Sequence, residues 1–225
     1  MYTYKYPHPA VTADCIVMTR DNQVLLIQRK NEPCRGQWAF PGGFMNIDET
    51  AEAAAVRELQ EETGITLSET DIFQVGAYTA VDRDPRERVI TIAYYALVRI
   101  SEVKGGDDAA KAQWFPLDKV PSLAFDHDLI LREATNELRR QIHFEPIGFE
   151  LLPEKFTMTQ LQHLYEAILS VKFDRRNFCN KMQKLGILTQ LEETLPMPNK
   201  KVAFLYQFNP ESYNEMKEKG FRLEF

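Results

Sequence analysis

The sequence predicts an α/β fold in two parts. A mixed-sheet α/β/α sandwich is expected over residues 1–144, and a small winged helix-turn-helix domain over residues 145–225. Three observations predict it. Before residue 144, β-branched apolar runs flank one Ala-rich stretch, Thr50 to Thr63, that holds no Gly or Pro. A second helical repeat closes that part. Beyond it the order becomes helix, turn, helix and two strands, which is the winged-helix order.

The elements follow in chain order. Ala10 to Thr19 is β-branched and apolar, Arg20-Asp21-Asn22 reads as a turn, and Gln23 to Lys30 completes a hairpin. Asn31 to Gly36 is a loop, Trp38-Ala39-Phe40 a short strand, and Pro41-Gly42-Gly43 a sharp bend into the next helix. From Thr50 to Thr63 alanine dominates, and Gly64 stands where a left-handed helix cap belongs. Asp71 to Ala80 and Val89 to Ser101 read as long strands joined by the charged loop Asp82 to Arg88. Ala112 to Leu117 is a short strand. In the helix from about Phe125 to Ile142, Leu129, Ile130, Ala134, Leu138 and Ile142 share a face. His143 to Gly148 breaks that pattern and marks the expected boundary. Thr157 to Leu169 is a capped helix with Leu161, Leu164, Tyr165 and Ile168 on one face. Asp174 caps a second helix that Gly186 stops. Ile187 to Glu192 and Val202 to Phe208 are strands around a loop carrying Pro196, Pro198, Lys200 and Lys201.

Composition limits the function classes. An apolar fraction of 44% with 27% charged residues suits a chain that buries a real core. No apolar run approaches the ~18 residues of a membrane span, and the opening MYTYKYPHPA does not read as a signal peptide. Cys15, Cys34 and Cys179 are odd in number and far apart, which argues against a disulfide framework or a zinc site. A cytoplasmic location is expected. The net charge of −6 argues against indiscriminate nucleic-acid binding. Residues 145–225 are neutral, with eleven Lys and Arg against eleven Asp and Glu, so a local basic stripe remains open.

The chemistry concentrates in residues 43–65, GFMNIDETAEAAAVRELQEETGI. Glu58, Glu61 and Glu62 fall at i, i+3 and i+4, on one helical face. Such carboxylates repel by a few tenths of a kcal/mol per pair. An acidic face can be merely solvated, but here Gly43, Glu49, Arg57 and Gly64 stand at fixed spacings around it. Hard divalent cations take oxygen ligands and bridge to phosphate oxygens, so the cluster suits a metal-assisted attack on a diphosphate.

The whole stretch resembles the Nudix box, G-x5-E-x7-R-E-U-x-E-E-x-G-U, where U is bulky and apolar, without departure. The resemblance implies a Nudix sandwich and a metal-dependent hydrolase acting on a nucleoside diphosphate linked to another group. It implies Mg²⁺ or Mn²⁺ held by Glu58, Glu61 and Glu62, with Glu49 and the Gly43 carbonyl in support. Glu58, Glu61 and Arg57 become the candidate catalytic residues, Arg57 by pairing with Glu49 or a helix carboxylate.

The segment Gly76 to Arg88 resembles its counterpart in Nudix proteins that handle ADP-ribose, including NrtR-type regulators, although on pattern alone it also reads as a solvated loop. Arg83, Arg86 and Arg88 carry forked donors for a diphosphate or ribose. Arg29 and Arg35 flank the other side of the expected cleft. Trp38 and Phe40 are candidate stacking surfaces for a base, although aromatics just before a buried bend are more often core. From about Pro146 onward the chain resembles the winged helix of NrtR-type and arabinose-responsive AraR regulators. There Arg175, Arg176, Asn177 and Asn180 suit base edges, and Lys181, Lys184, Lys200 and Lys201 suit phosphates. Two readings follow. The first is an ADP-ribose hydrolase with a fused DNA-binding domain. The second is a homodimeric transcription regulator that senses ADP-ribose or a sugar and binds a palindromic operator.

Overall fold

The computed structural model describes residues 5–106, 109–143, 149–197, 201–218 and 220, and the side chains of all these except Glu150 and Lys201. The chain divides into two compact units, Met1–Glu137 and Leu138–Phe225. The expected boundary between residues 144 and 145 lies outside the described residues.

The first unit is built on β1 (Ala10–Thr19), which lies between β2 (Gln23–Arg29), antiparallel, and β6 (Val89–Val98), parallel. The seven-stranded sheet runs β3-β2-β1-β6-β5, with β3 at Trp38–Ala39 and β5 at Ile72–Tyr78. β7 (Ala109–Pro116) pairs with β2, and β4 (Gly42–Phe44) pairs antiparallel with β1. Of the bend expected at Pro41-Gly42-Gly43, Pro41 keeps it, while Gly42 and Gly43 are corrected to a strand. Two adjacent glycines bear no side chain that opposes the close approach of β4 to its neighbours. A Cβ on Gly42 would meet the Asp14 carboxylate and the Ala13 carbonyl within about 2.5 Å.

Helix α1 (Ala51–Thr63) ends at the predicted cap, Gly64 at φ +79°, and begins one residue later than expected, with the Thr50 side chain accepting from the Ala53 N–H. Its small face, Ala51, Ala54 and Ala55 with Leu59, packs on Ala13, Cys15 and Val17 of β1. Burying Leu59 alone contributes about 1.5–3 kcal/mol. Because strand residues alternate in direction, covering Ala13, Cys15 and Val17 turns Thr12 and Asp14 to the opposite face. Helix α2 (His127–Gln141) buries Ile130, Ala134 and Leu138.

The second unit holds α3 (Met158–Leu169) and α4 (Arg175–Lys184), then β9 (Leu188–Met197) and β10 (Lys201–Phe208) in a three-stranded sheet completed by β8 (Phe156–Thr157). This is the predicted winged helix-turn-helix. The hairpin strands are longer than expected: Pro196 lies within β9 and Lys201 begins β10. A further helix, α5 (Pro210–Glu218), follows that the sequence reading lacks. A capping box closes the N-terminus of α3, with Thr157 accepting from the Gln160 N–H and Gln160 accepting from the Thr157 N–H.

The turn between α3 and α4 is tied by one buried carboxylate. Glu166 accepts from the Phe173 N–H at 2.9 Å, the Gln162 amide at 3.0 Å and the Lys172 ammonium at 3.1 Å. Those bonds, the backbone one foremost, hold its carboxyl down at about 2. A carboxyl lowered by folding stabilises the fold above its unfolded value of about 4.5 and loses that stabilisation as pH falls towards 2. The helix-turn-helix is expected to melt progressively earlier over that window. Glu166→Gln should lower the melting temperature at pH 7 and flatten its fall below pH 4.5, as followed by circular dichroism.

Candidate functional site

In the first unit a cleft of about 350 Å³ opens beside β4. It is lined by Gly42, Gly43, Arg57, Glu58 and Glu62 on one side, and by Arg29, Arg83 and Arg86 on another. Residues far apart in sequence thus meet: the acidic helix, the end of β2 and the charged loop after β5. Asp84, Phe40, Phe44 and Phe125 also face it. Arg35 is exposed and does not line the cleft, nor do Glu49 and Glu61.

Arg57 organises the acidic helix. Its Nε and Nη2 donate to Glu49 at 3.0 and 2.7 Å, a two-pronged pair, while Nη1 donates to Glu58 at 2.7 Å and Glu61 at 3.2 Å. Nη2 also reaches the Phe44 carbonyl at 3.2 Å, which ties α1 to the end of β4. The bond from Arg57 brings the Glu49 carboxyl down to about 2. Glu58 moves the other way: burial raises its carboxyl above the usual range despite the pull of Arg57. Gly43 explains that burial, because a Cβ there would meet the Glu58 carboxylate at 2.5 Å. Glu62, 4% exposed, accepts from the Gly42 N–H at 2.9 Å.

Among the described residues no three His, Cys, Asp or Glu side chains converge to hold a metal ion. The donor chemistry nonetheless fits a hard cation: Glu58 and Glu62 are oxygen donors beside the glycine backbone of β4, and Arg57 stands as the positive partner of Glu58. Cys15 is unavailable, since burial foremost pushes its thiol up to about 12.

The charged loop is solvated at Asp82 and from Pro85 to Arg88, but Arg83 and Asp84 are buried. Arg83, 9% exposed, makes a two-pronged contact with Asp126 at 2.9 and 2.7 Å. Arg86 grips Asp84 through Nε and Nη2 at 3.0 and 2.7 Å, and its guanidinium lies 4.9 Å from the Phe44 ring centre. Each keeps Nη1 clear of these bonds. Arg88 instead donates to the Ala80 and Thr79 carbonyls and closes the loop. Phe40 is 1% exposed and stacks on His127 at 5.0 Å, so it forms a wall of the cleft and not an open platform.

Thr12, Asp14, Thr91 and His127 are among the cleft residues that the sequence does not point to. The only signal for Asp14 is a charge inside an otherwise apolar strand. His127 carries none, because nothing local places the first turn of α2 against a strand near residue 40.

In the second unit α4 buries Phe178 and Met182 and exposes Arg175, Arg176, Asn177, Asn180 and Lys184. Lys181 is half-buried. Lys200 lies outside the described residues, as does the side chain of Lys201.

The family model for the NUDIX domain matches residues 8–138. The chain belongs to the Nudix family. Residues 148–208 match the NrtR DNA-binding winged helix domain, so a Nudix domain precedes a winged helix. The ADP-ribose pyrophosphatase of Methanocaldococcus jannaschii is 47% identical over 128 residues, 57% of this chain and 74% of that protein. The ADPR responsive transcriptional repressor NtrR of Acinetobacter baylyi is 32% identical over 217 residues, 93% of this chain and 86% of that protein. The crystal structure of Shewanella oneidensis NrtR complexed with a 27mer DNA superposes with a TM-score of 0.73 at 26% identity, covering 95% of this chain and 97% of that one. No helix among the described residues is long and apolar enough to cross a membrane.

Because Arg57 satisfies three carboxylates at once, Arg57→Ala leaves them facing one another. It is expected to cost about 1–3 kcal/mol in urea unfolding at pH 7. Part of that loss should return below pH 4, where the carboxylates protonate.

Proposed function

We propose that the Nudix domain hydrolyses the diphosphate of ADP-ribose to AMP and ribose phosphate, and that the winged helix binds operator DNA. The observation that carries the first half is the meeting of Arg29, Arg83 and Arg86 with Glu58 and Glu62 on one cleft. Cations that grip a diphosphate and carboxylates that suit a divalent metal are the two things this reaction needs. The likeness to the M. jannaschii pyrophosphatase supports the substrate.

In this reading Glu58, Glu61 and Glu62 hold Mg²⁺ or Mn²⁺, with Glu49 and the Gly43 carbonyl in support. The bound ion supplies charge neutralisation and an acidified water. Nη1 of Arg83 and of Arg86 orients the diphosphate, because Asp126 and Asp84 fix the other prongs of each fork. Glu61 has the most exposed carboxylate around Arg57 and the longest contact to it, so it is the group most readily released to the reaction. Arg57 positions the carboxylates and does not touch substrate. Glu61→Gln is expected to reduce turnover by at least 100-fold with little change in stability. Steady-state assay with and without Mg²⁺ decides it, and a wild-type protein that binds ADP-ribose without turnover removes the hydrolase reading.

The regulator reading stands beside it, favoured by α4, whose outer face carries Arg175, Arg176, Asn177, Asn180 and Lys184. The end-to-end likeness to the A. baylyi repressor supports it too. A homodimer with two winged helices would read a palindromic site, and hydrolysis would then remove the protein's own effector. Arg176→Ala and Lys181→Ala are each expected to weaken a gel shift on DNA upstream of the protein's own operon, and binding should fall steeply with salt. Wild-type protein without salt-sensitive DNA binding would falsify this half.

A further inference from the structure

We infer that Asp14 and His127 form the base-reading edge of the cleft and select adenine over the 6-oxopurines. The inference rests on the nucleoside diphosphate reading above and specifies which nucleoside.

Asp14 is 6% exposed, lines the cleft, and receives no hydrogen bond to its carboxylate from any described residue. Its oxygens stay open to the cleft and are not among the sealed, unpartnered polar atoms, so a ligand filling the cleft must itself donate to them or leave them desolvated. The strand register aims it: Asp14 pairs with Gly42 of β4 and Ala93 of β6, on the face opposite α1. The missing side chain of Gly42 is what admits it.

His127 is 4% exposed and lines the same cleft. Its Nδ1 accepts from the Phe40 N–H at 3.1 Å, which assigns the ring proton of the neutral form to Nε2. Burial keeps the ring neutral by lowering its basicity. No described residue accepts from Nε2–H. The nearby charges are Asp14, Asp126, Arg83 and Arg29.

One cleft therefore holds one group that only accepts and one that only donates, close enough for the Asp14 charge to act on the His127 ring. Adenine presents the complement on its pairing edge, the N6 amine as donor and N1 as acceptor. Hypoxanthine reverses both, placing O6 against the carboxylate and N1–H against Nε2–H. Apolar walls from Ile27, Phe40 and Phe125 suit a flat ring between them. A site built to satisfy such groups discriminates strongly, because the wrong base leaves them buried and unpaired.

The test is calorimetric binding to the full-length protein without added divalent cation, comparing ADP-ribose with its inosine counterpart. The inosine compound is expected to bind at least 100-fold more weakly. In Asp14→Asn the carboxamide can turn its N–H towards O6, so the ratio should fall below tenfold. A wild-type ratio under threefold overturns the inference, as does a natively melting Asp14→Asn protein that keeps the wild-type ratio. Adenine-selective binding without turnover would remove the hydrolase reading and leave this one. Equal turnover of both compounds would do the reverse.

Discussion

Arg57 is the interaction on which the site depends. Three carboxylates and one backbone carbonyl share its guanidinium, and the contacts span α1, the loop before it and the end of β4. A lysine would supply the charge but not the planar fork that engages Glu49 through two prongs. The consequence is electrostatic as well as geometric. Carboxylates that would repel on an isolated helix are held close around one cation, with Glu58 desolvated and Glu49 fully ionised. A divalent ion held there would take over a charge-balancing role that Arg57 already provides.

The glycines of β4 do the complementary work. Gly42 leaves room for the Asp14 carboxylate and donates its N–H to Glu62, while Gly43 leaves room for Glu58. Two bare residues at the edge of β1 thus admit acidic side chains from both faces of the sheet. The same principle of fixing one end of a polar group to aim the other recurs at Arg83, Arg86 and His127. Asp126, Asp84 and the Phe40 N–H hold them, and the remaining N–H groups are left for the cleft.

The winged helix relies on a smaller version of this arrangement. Glu166 collects three donors and ties the turn between α3 and α4, while Phe178 and Met182 anchor α4 by one face. The Arg and Asn side chains on its outer face are left exposed. In the chain this winged helix follows the Nudix domain.

Much of this was legible in the residues. The Gly64 cap of α1, the capped start of α3, the Asp174 cap of α4 and the succession of strands along the chain all rest on local rules: side chains that bond neighbouring backbone, and periodicities of 2 and 3.6. The acidic helix was legible for the same reason, since Glu58, Glu61 and Glu62 share a face through helix geometry alone. Register and long-range pairing were not. Nothing near Gly42 says that it will lie beside Asp14 as a strand, and nothing near Arg83 says that Asp126 will neutralise it. His127 acquires its tautomer from a backbone N–H 87 residues away. Helix spacing and capping are written into short segments. Which charges are buried, which partners hold them and which atoms are left for a ligand depend on contacts between segments, and only folding makes those.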